Sequence, residues 1–137
     1  MTAADGRVPA FSGALIGPGE VVITRPAQHL ADPVVIPAGA DLAVAWTGGT
    51  IGDVDIGFAP DARRGVGLSC RFPASAGHGS IPKAALARLP AGKTLVTASA
   101  YASRDPSRGG WQLTFSLSGA ATAPGGHLPF LLSATLE

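Results

Sequence analysis

The chain has 137 residues, 46% hydrophobic and only 14% charged, with 19 Gly, 12 Pro and a net charge of +1. That length accommodates a single domain with one sizeable core; the apolar content excludes a disordered chain, and the frequent Gly and Pro exclude a helical bundle. Its eight Arg and two Lys are scattered rather than clustered, so the sequence carries no electrostatic footprint for nucleic acid or an anionic membrane.

Residues 1–7 read as a polar, flexible lead-in, and strand-like material begins at VPAFSGALI, where Pro9 suits an edge because proline cannot donate to a ladder. GEVVIT (19–24) predicts a short strand closed by Arg25 and Pro26. The next stretch, with three prolines, leaves room for one short strand at Val34 to Ile36. In DLAVAWTGGTIGDVDIGF (41–58), Leu42, Val44 and Trp46 share one face, and Val54, Ile56 and Phe58 repeat the alternation. The pattern predicts a hairpin turning at Gly48-Gly49, with Trp46 as core anchor and Asp53 and Asp55 on the wet side.

Val66, Leu68, Cys70 and Phe72 then fall on one face. SIPKAALARLPAG (80–92) is the helical candidate, a short helix near residues 82–89, entered at Pro82 and stopped by Pro90 and Gly92. TLVTASAYA (94–102) is a β-rich strand followed by the charged turn SRDPSRGG. Trp111, Leu113, Phe115 and Leu117 share a face that reads as core, as do Phe130, Leu132, Ala134 and Leu136. Eight or nine short strands with almost no helix predict an all-β, antiparallel β-sandwich over residues 1–137.

Cys70 is the single cysteine, so neither an intrachain disulfide nor a paired-cysteine zinc site can form. Its alternation with Leu68 and Phe72 reads as a small core hydrophobe rather than a reactive thiol. MTAADGRVPAF lacks the basic segment and apolar run of a signal peptide, and no apolar run approaches the roughly 20 residues of a spanning helix.

Four short motifs occur in order: VPAFSG (Val8 to Gly13), WTGG (Trp46 to Gly49), C-x-F-P-A-S-A-G (Cys70 to Gly77) and P-x-A-A-L (Pro82 to Leu86). With them the chain resembles an immunoglobulin-like β-sandwich domain of myxobacterial secreted proteins and lipoproteins. The resemblance covers about residues 8–102, and its motifs consist mostly of packing and turn residues. It implies an immunoglobulin-like fold and an extracellular or cell-envelope location, although no lipobox Cys stands near the start.

Candidate chemistry is sparse. Asp53 and Asp55, two apart in a strand, project from one face and with Asp61 could gather calcium, which favours several hard oxygen ligands; equally, they keep a sheet face wet. Trp111 and Tyr101 are candidates for stacking on a sugar ring, against a core reading for the tryptophan. His29, His78 and His127 share no short metal-ligand spacing, and His78 with Ser80 lacks the G-x-S-x-G pattern of a nucleophile elbow.

The expected function is therefore a non-catalytic structural or protein-interaction module with no obligatory cofactor, and the alternative is a carbohydrate-binding module, calcium-assisted or not. A protein or cell-surface glycan is the expected partner. Low charge, which leaves few residues to guard sheet edges, adds the expectation of a homodimer.

Overall fold

The computed structural model describes residues 13–27, 33–37, 39–60, 66–105, 107–108, 111–112, 114–125 and 129–137. The fold is all-β. A smaller sheet has the order β1-β3-β6, built from Val21–Arg25, Leu42–Gly48 and His78–Ile81. A larger sheet has the order β2-β11-β7-β4-β5, from Val34–Ile36, Leu131–Leu136, Gly92–Arg104, Asp53–Pro60 and Leu68–Pro73, and β10 (Phe115–Ala120) also pairs with β7. The short pair β8 (Ser107–Arg108) and β9 (Trp111–Gln112) completes the strands.

Among the described strands pairing is antiparallel with one exception, and an isolated bridge, Val22↔Thr122, is also parallel. β2 runs parallel to β11 through Ala134↔Val34 and Leu136↔Ile36, so the larger sheet is mixed rather than purely antiparallel as the sequence predicts. The physical reason is connectivity: a parallel neighbour must arrive by a long crossover, and residues 37–130 lie between β2 and β11.

A second correction concerns residues 41–58. Both strands exist and alternate as expected, yet they are not hairpin partners. β3 pairs with β1 and β6, whereas β4 pairs with β5 and β7 in the other sheet. Gly48, Gly49 and Gly52 all have positive φ, and the connection they form carries the chain from one sheet to the other.

The central strand of the larger sheet is β7, whose alternate residues are buried along most of its length. Along one edge it pairs with β4; along the other, β11 takes its first half and β10 its second. The β8–β9 pairs Ser107↔Gln112 and Arg108↔Trp111 continue the register of Arg104↔Phe115, so β7 and β10 belong to one long hairpin.

The helix is shorter than the sequence predicts. It spans Lys83–Leu86, and single turns carry the chain on to Leu89. The Asp41 carboxylate accepts a 2.8 Å hydrogen bond from the Lys83 backbone N–H, supplying from β3's approach the cap that Pro82 lacks.

Inner-facing residues of both sheets make one core: Val21, Ile23, Val44, Trp46 and Ile81 from the smaller, and residues such as Val54, Ile56, Val96, Leu132 and Leu136 from the larger. Residue 122 ties the sheets' ends together, since Ile23 donates to its carbonyl and its own N–H reaches Val21. No described helix is long and apolar enough to cross a membrane.

Candidate functional site

Strand alternation sends every second residue of β5, β4 and β7 to the outer face of the larger sheet, and register sets which of them meet. Asp53 lies opposite Tyr101 on β7. Asp55 lies between Arg71 on β5 and Ser99 on β7.

The side chains interlock at this point. Ser69 Oγ donates to Asp55 Oδ1 at 2.7 Å, and Arg71 Nη2 donates to Oδ2 at 3.5 Å. The Arg71 guanidinium carbon also sits 4.5 Å from the centre of the Tyr101 ring. Arg71 is 51% exposed, so its ion pair contributes at most about 1 kcal/mol and the cation–π contact about 0.5–1 kcal/mol. Such contacts orient a surface cluster more than they stabilise the fold.

The structure thus brings together Tyr101, Asp53 and Asp55 of the residues singled out in the sequence. Asp61 lies outside the described residues, and Trp111 enters only through its pairing with Arg108. Among the described residues no group of three or more His, Cys, Asp or Glu is placed to hold a metal ion. Both oxygens of Asp55 are already engaged by Ser69 and Arg71. One face of Tyr101 is covered by Arg71, so a sugar ring stacking there has to displace the guanidinium.

Arg71 and Ser69 were not legible as site residues, because their alternation with Leu68, Cys70 and Phe72 gives a face but not the neighbouring strand. Beside this cluster the same outer face carries aliphatic residues. Leu95 is 39% and Leu131 49% exposed, on adjacent strands and diagonal to one another, and Val35 on β2 is also exposed.

The remaining sequence candidates lie elsewhere. His78 is exposed and its Nδ1–H donates to the Ala76 carbonyl at 2.9 Å, while Ser80 lies on the same exposed side of β6. His29 and His127 fall outside the described residues. Cys70 packs against the core; burial pushes its thiol pKa up, and the Asp55 carboxylate adds to the shift.

Val66 is exposed rather than aligned with the core face, because β5 begins only at Leu68. Phe115 and Leu117 also depart from the core reading, at 40% and 47% exposure. They lie on the inner side, opposite Arg104 and Ala102 at the Arg104 end of β7, where a Cβ built on Gly17 would stand 2.9 Å from Leu117 Cδ2. An open groove of about 270 Å³ lies near this end, lined in part by Ala14, Ile16, Ile51 and Ala102, with Arg104 Nη1 donating to the Ala14 carbonyl at 3.3 Å.

Comparison with known proteins gives no matching family model, no matching curated protein and no matching solved structure.

Proposed function

We propose that the chain is an immunoglobulin-like β-sandwich serving as a non-catalytic protein-interaction or structural module of a secreted or cell-envelope protein. Its contact surface is the outer face of the larger sheet. The strand order supports the immunoglobulin-like reading: β1-β3-β6 corresponds to A-B-E, and β11-β7-β4-β5 to G-F-C-C′. On that correspondence the β8–β10 excursion is an elaboration of the F–G connection. The myxobacterial resemblance of the motifs supports the secreted or envelope location.

The observation that carries the interaction reading is the pairing, on one face, of an oriented Arg71–Tyr101–Asp55 cluster with exposed Leu95, Leu131 and Val35. Arg and Tyr are the side chains over-represented at binding hot spots, and aliphatics beside them supply area that a partner can dehydrate. A glycan reading is weaker because Tyr101 is already faced by Arg71.

The test uses capture from cell-envelope extracts by the chain and by its Arg71→Ala and Leu95→Asp variants, with Ser80→Asp, exposed on β6 of the smaller sheet, as the control. Capture should be lost in the first two and kept in the third. Thermal unfolding against polysaccharide fragments, with and without calcium, is the counter-test, since a ligand at a hundred times its dissociation constant stabilises by about 2.7 kcal/mol. A sugar- or calcium-dependent rise in Tm that Tyr101→Ala removes would replace the protein-interaction reading with the carbohydrate one.

A further inference from the structure

Among the described residues, most outer strands of this fold carry a guard on their free edge. The outer edge of β1 is occupied at residue 122, with hydrogen bonds of 2.8 and 2.9 Å, and the strand is followed by Pro26. β2 is three residues long between Pro33 and Pro37. β5 carries Arg71 and ends at Pro73, and β6 is four residues long, with Pro82 next. Short length, proline and charge are the devices that keep edges from pairing with other chains.

β10 has none of them. Its six residues, FSLSGA, contain neither proline nor charge, keep an unbroken register with β7, and are all exposed. No described residue pairs with its other edge.

We propose that β10 pairs antiparallel with β10 of a second copy of this chain, about a two-fold axis through Leu117. A two-fold perpendicular to the sheet keeps inner faces on one side, so opposed residues must share parity along the strand. The register centred on Leu117 sets Leu117 against Leu117, Phe115 against Gly119, and Ser116 against Ser118. Gly119 suits this arrangement, since a side-chain position built there meets nothing within 4 Å and leaves open space for the facing aromatic ring. The inner row becomes Phe115 and Leu117 from both copies, the residues exposed in the single chain, and the outer row is hydroxyl against hydroxyl. Centring on Ser118 instead would push Phe115 past the end of the partner strand.

Five opposed pairs span about 17 Å, and an edge of that length alone stays at the low end of interface sizes, below about 1,200 Å². The dimer is therefore concentration-dependent rather than obligate. It places the two outer faces on the same side of one continuous sheet, which goes beyond the single-copy contact surface proposed above and makes that surface bivalent.

Sedimentation and light scattering over a concentration series, on the full chain, test the register directly. Changing Ser116→Lys together with Ser118→Lys creates two like-charge pairs by symmetry and should weaken association roughly tenfold. Ser116→Lys with Ser118→Glu creates two opposite-charge pairs and should retain it. In a Cys70→Ser background, Leu117→Cys should give a disulfide-linked dimer on mild oxidation, because directly opposed Cα atoms lie about 4.5–5.5 Å apart, within disulfide reach. All substituted β10 positions are exposed, so an unchanged Tm confirms that each variant is folded. A monomer at every concentration, a dimer indifferent to the double lysine variant, or failure of Leu117→Cys to cross-link overturns the proposal.

Discussion

Trp46 shows how a single side chain joins the two sheets. It is 3% exposed on β3, its indole N–H donates to the Ala74 carbonyl at 2.8 Å, and its ring lies 6.0 Å from that of Phe72 on β5. Trp46→Phe keeps an aromatic body but removes the donor and part of the volume, and should lower unfolding stability by about 2 kcal/mol. Urea unfolding checks this, and an unchanged midpoint would show the indole N–H to be immaterial. Cys70 gives a pH-dependent counterpart. Burial first, and the Asp55 carboxylate second, raise its thiol above the ordinary value. A thiol raised on folding contributes stability that is complete below the unfolded thiol's pKa and declines as pH rises through the folded one. The rate of Cys70 alkylation, followed from pH 7 to 10, should accordingly have its midpoint above the roughly 8.5 of free cysteine; a midpoint at or below that value would contradict the buried environment. The residue-level expectations for Trp46 and for Asp53 and Asp55 on the wet side could be read from alternation, since facing in or out needs only period two. The Arg71–Asp55 contact could not, because it joins residues 16 positions apart through a register that the local sequence does not encode.

Among the elements, the connection between β3 and β4 is the most constrained. Gly52 has φ +77°, and a Cβ placed on it would drive into the Tyr101 carbonyl oxygen, part of the backbone of β7. Gly52→Ala should therefore cost about 3 kcal/mol or more, through backbone strain and displacement of β7 together. Thermal unfolding measures the effect, and a variant with the parental Tm would mean that the close approach is not maintained in solution. The glycines were legible as a turn, but a turn's need for positive φ is the same whether the chain reverses within a sheet or crosses to another. The hairpin expectation failed for that reason. β10 failed differently: Phe115 and Leu117 carry the core pattern and do face inward, yet they keep 40% and 47% exposure, because alternation sets a side chain's direction and not whether another element covers it.

Over the whole molecule, the all-β class, the single core and most strand positions follow from the sequence. Val44, Trp46, Val54, Ile56, Phe58, Leu132 and Leu136 lie on the faces that alternation assigns to the core, and all are buried on strands. The short helix was visible in Pro82 and the alanines, and Leu86 is fully buried, but α-helical bonding gives way to tighter i+3 turns at Arg88 and Leu89 before Pro90 stops the chain. Alternation and turn residues are local signals that fix which residues face a core and where the chain bends. Partner choice is not local. The parallel β2–β11 pair, the division of β7's edge between β10 and β11, the gathering of Asp55, Arg71 and Tyr101, and the exposed edge of β10 arise only when strands distant in sequence are laid side by side. The sequence by itself determined most of the strands and the direction in which their side chains alternate, because each is set by neighbours along the chain. Tertiary structure decided the neighbours across it, because hydrogen-bond register and sheet membership depend on the packing of the whole core.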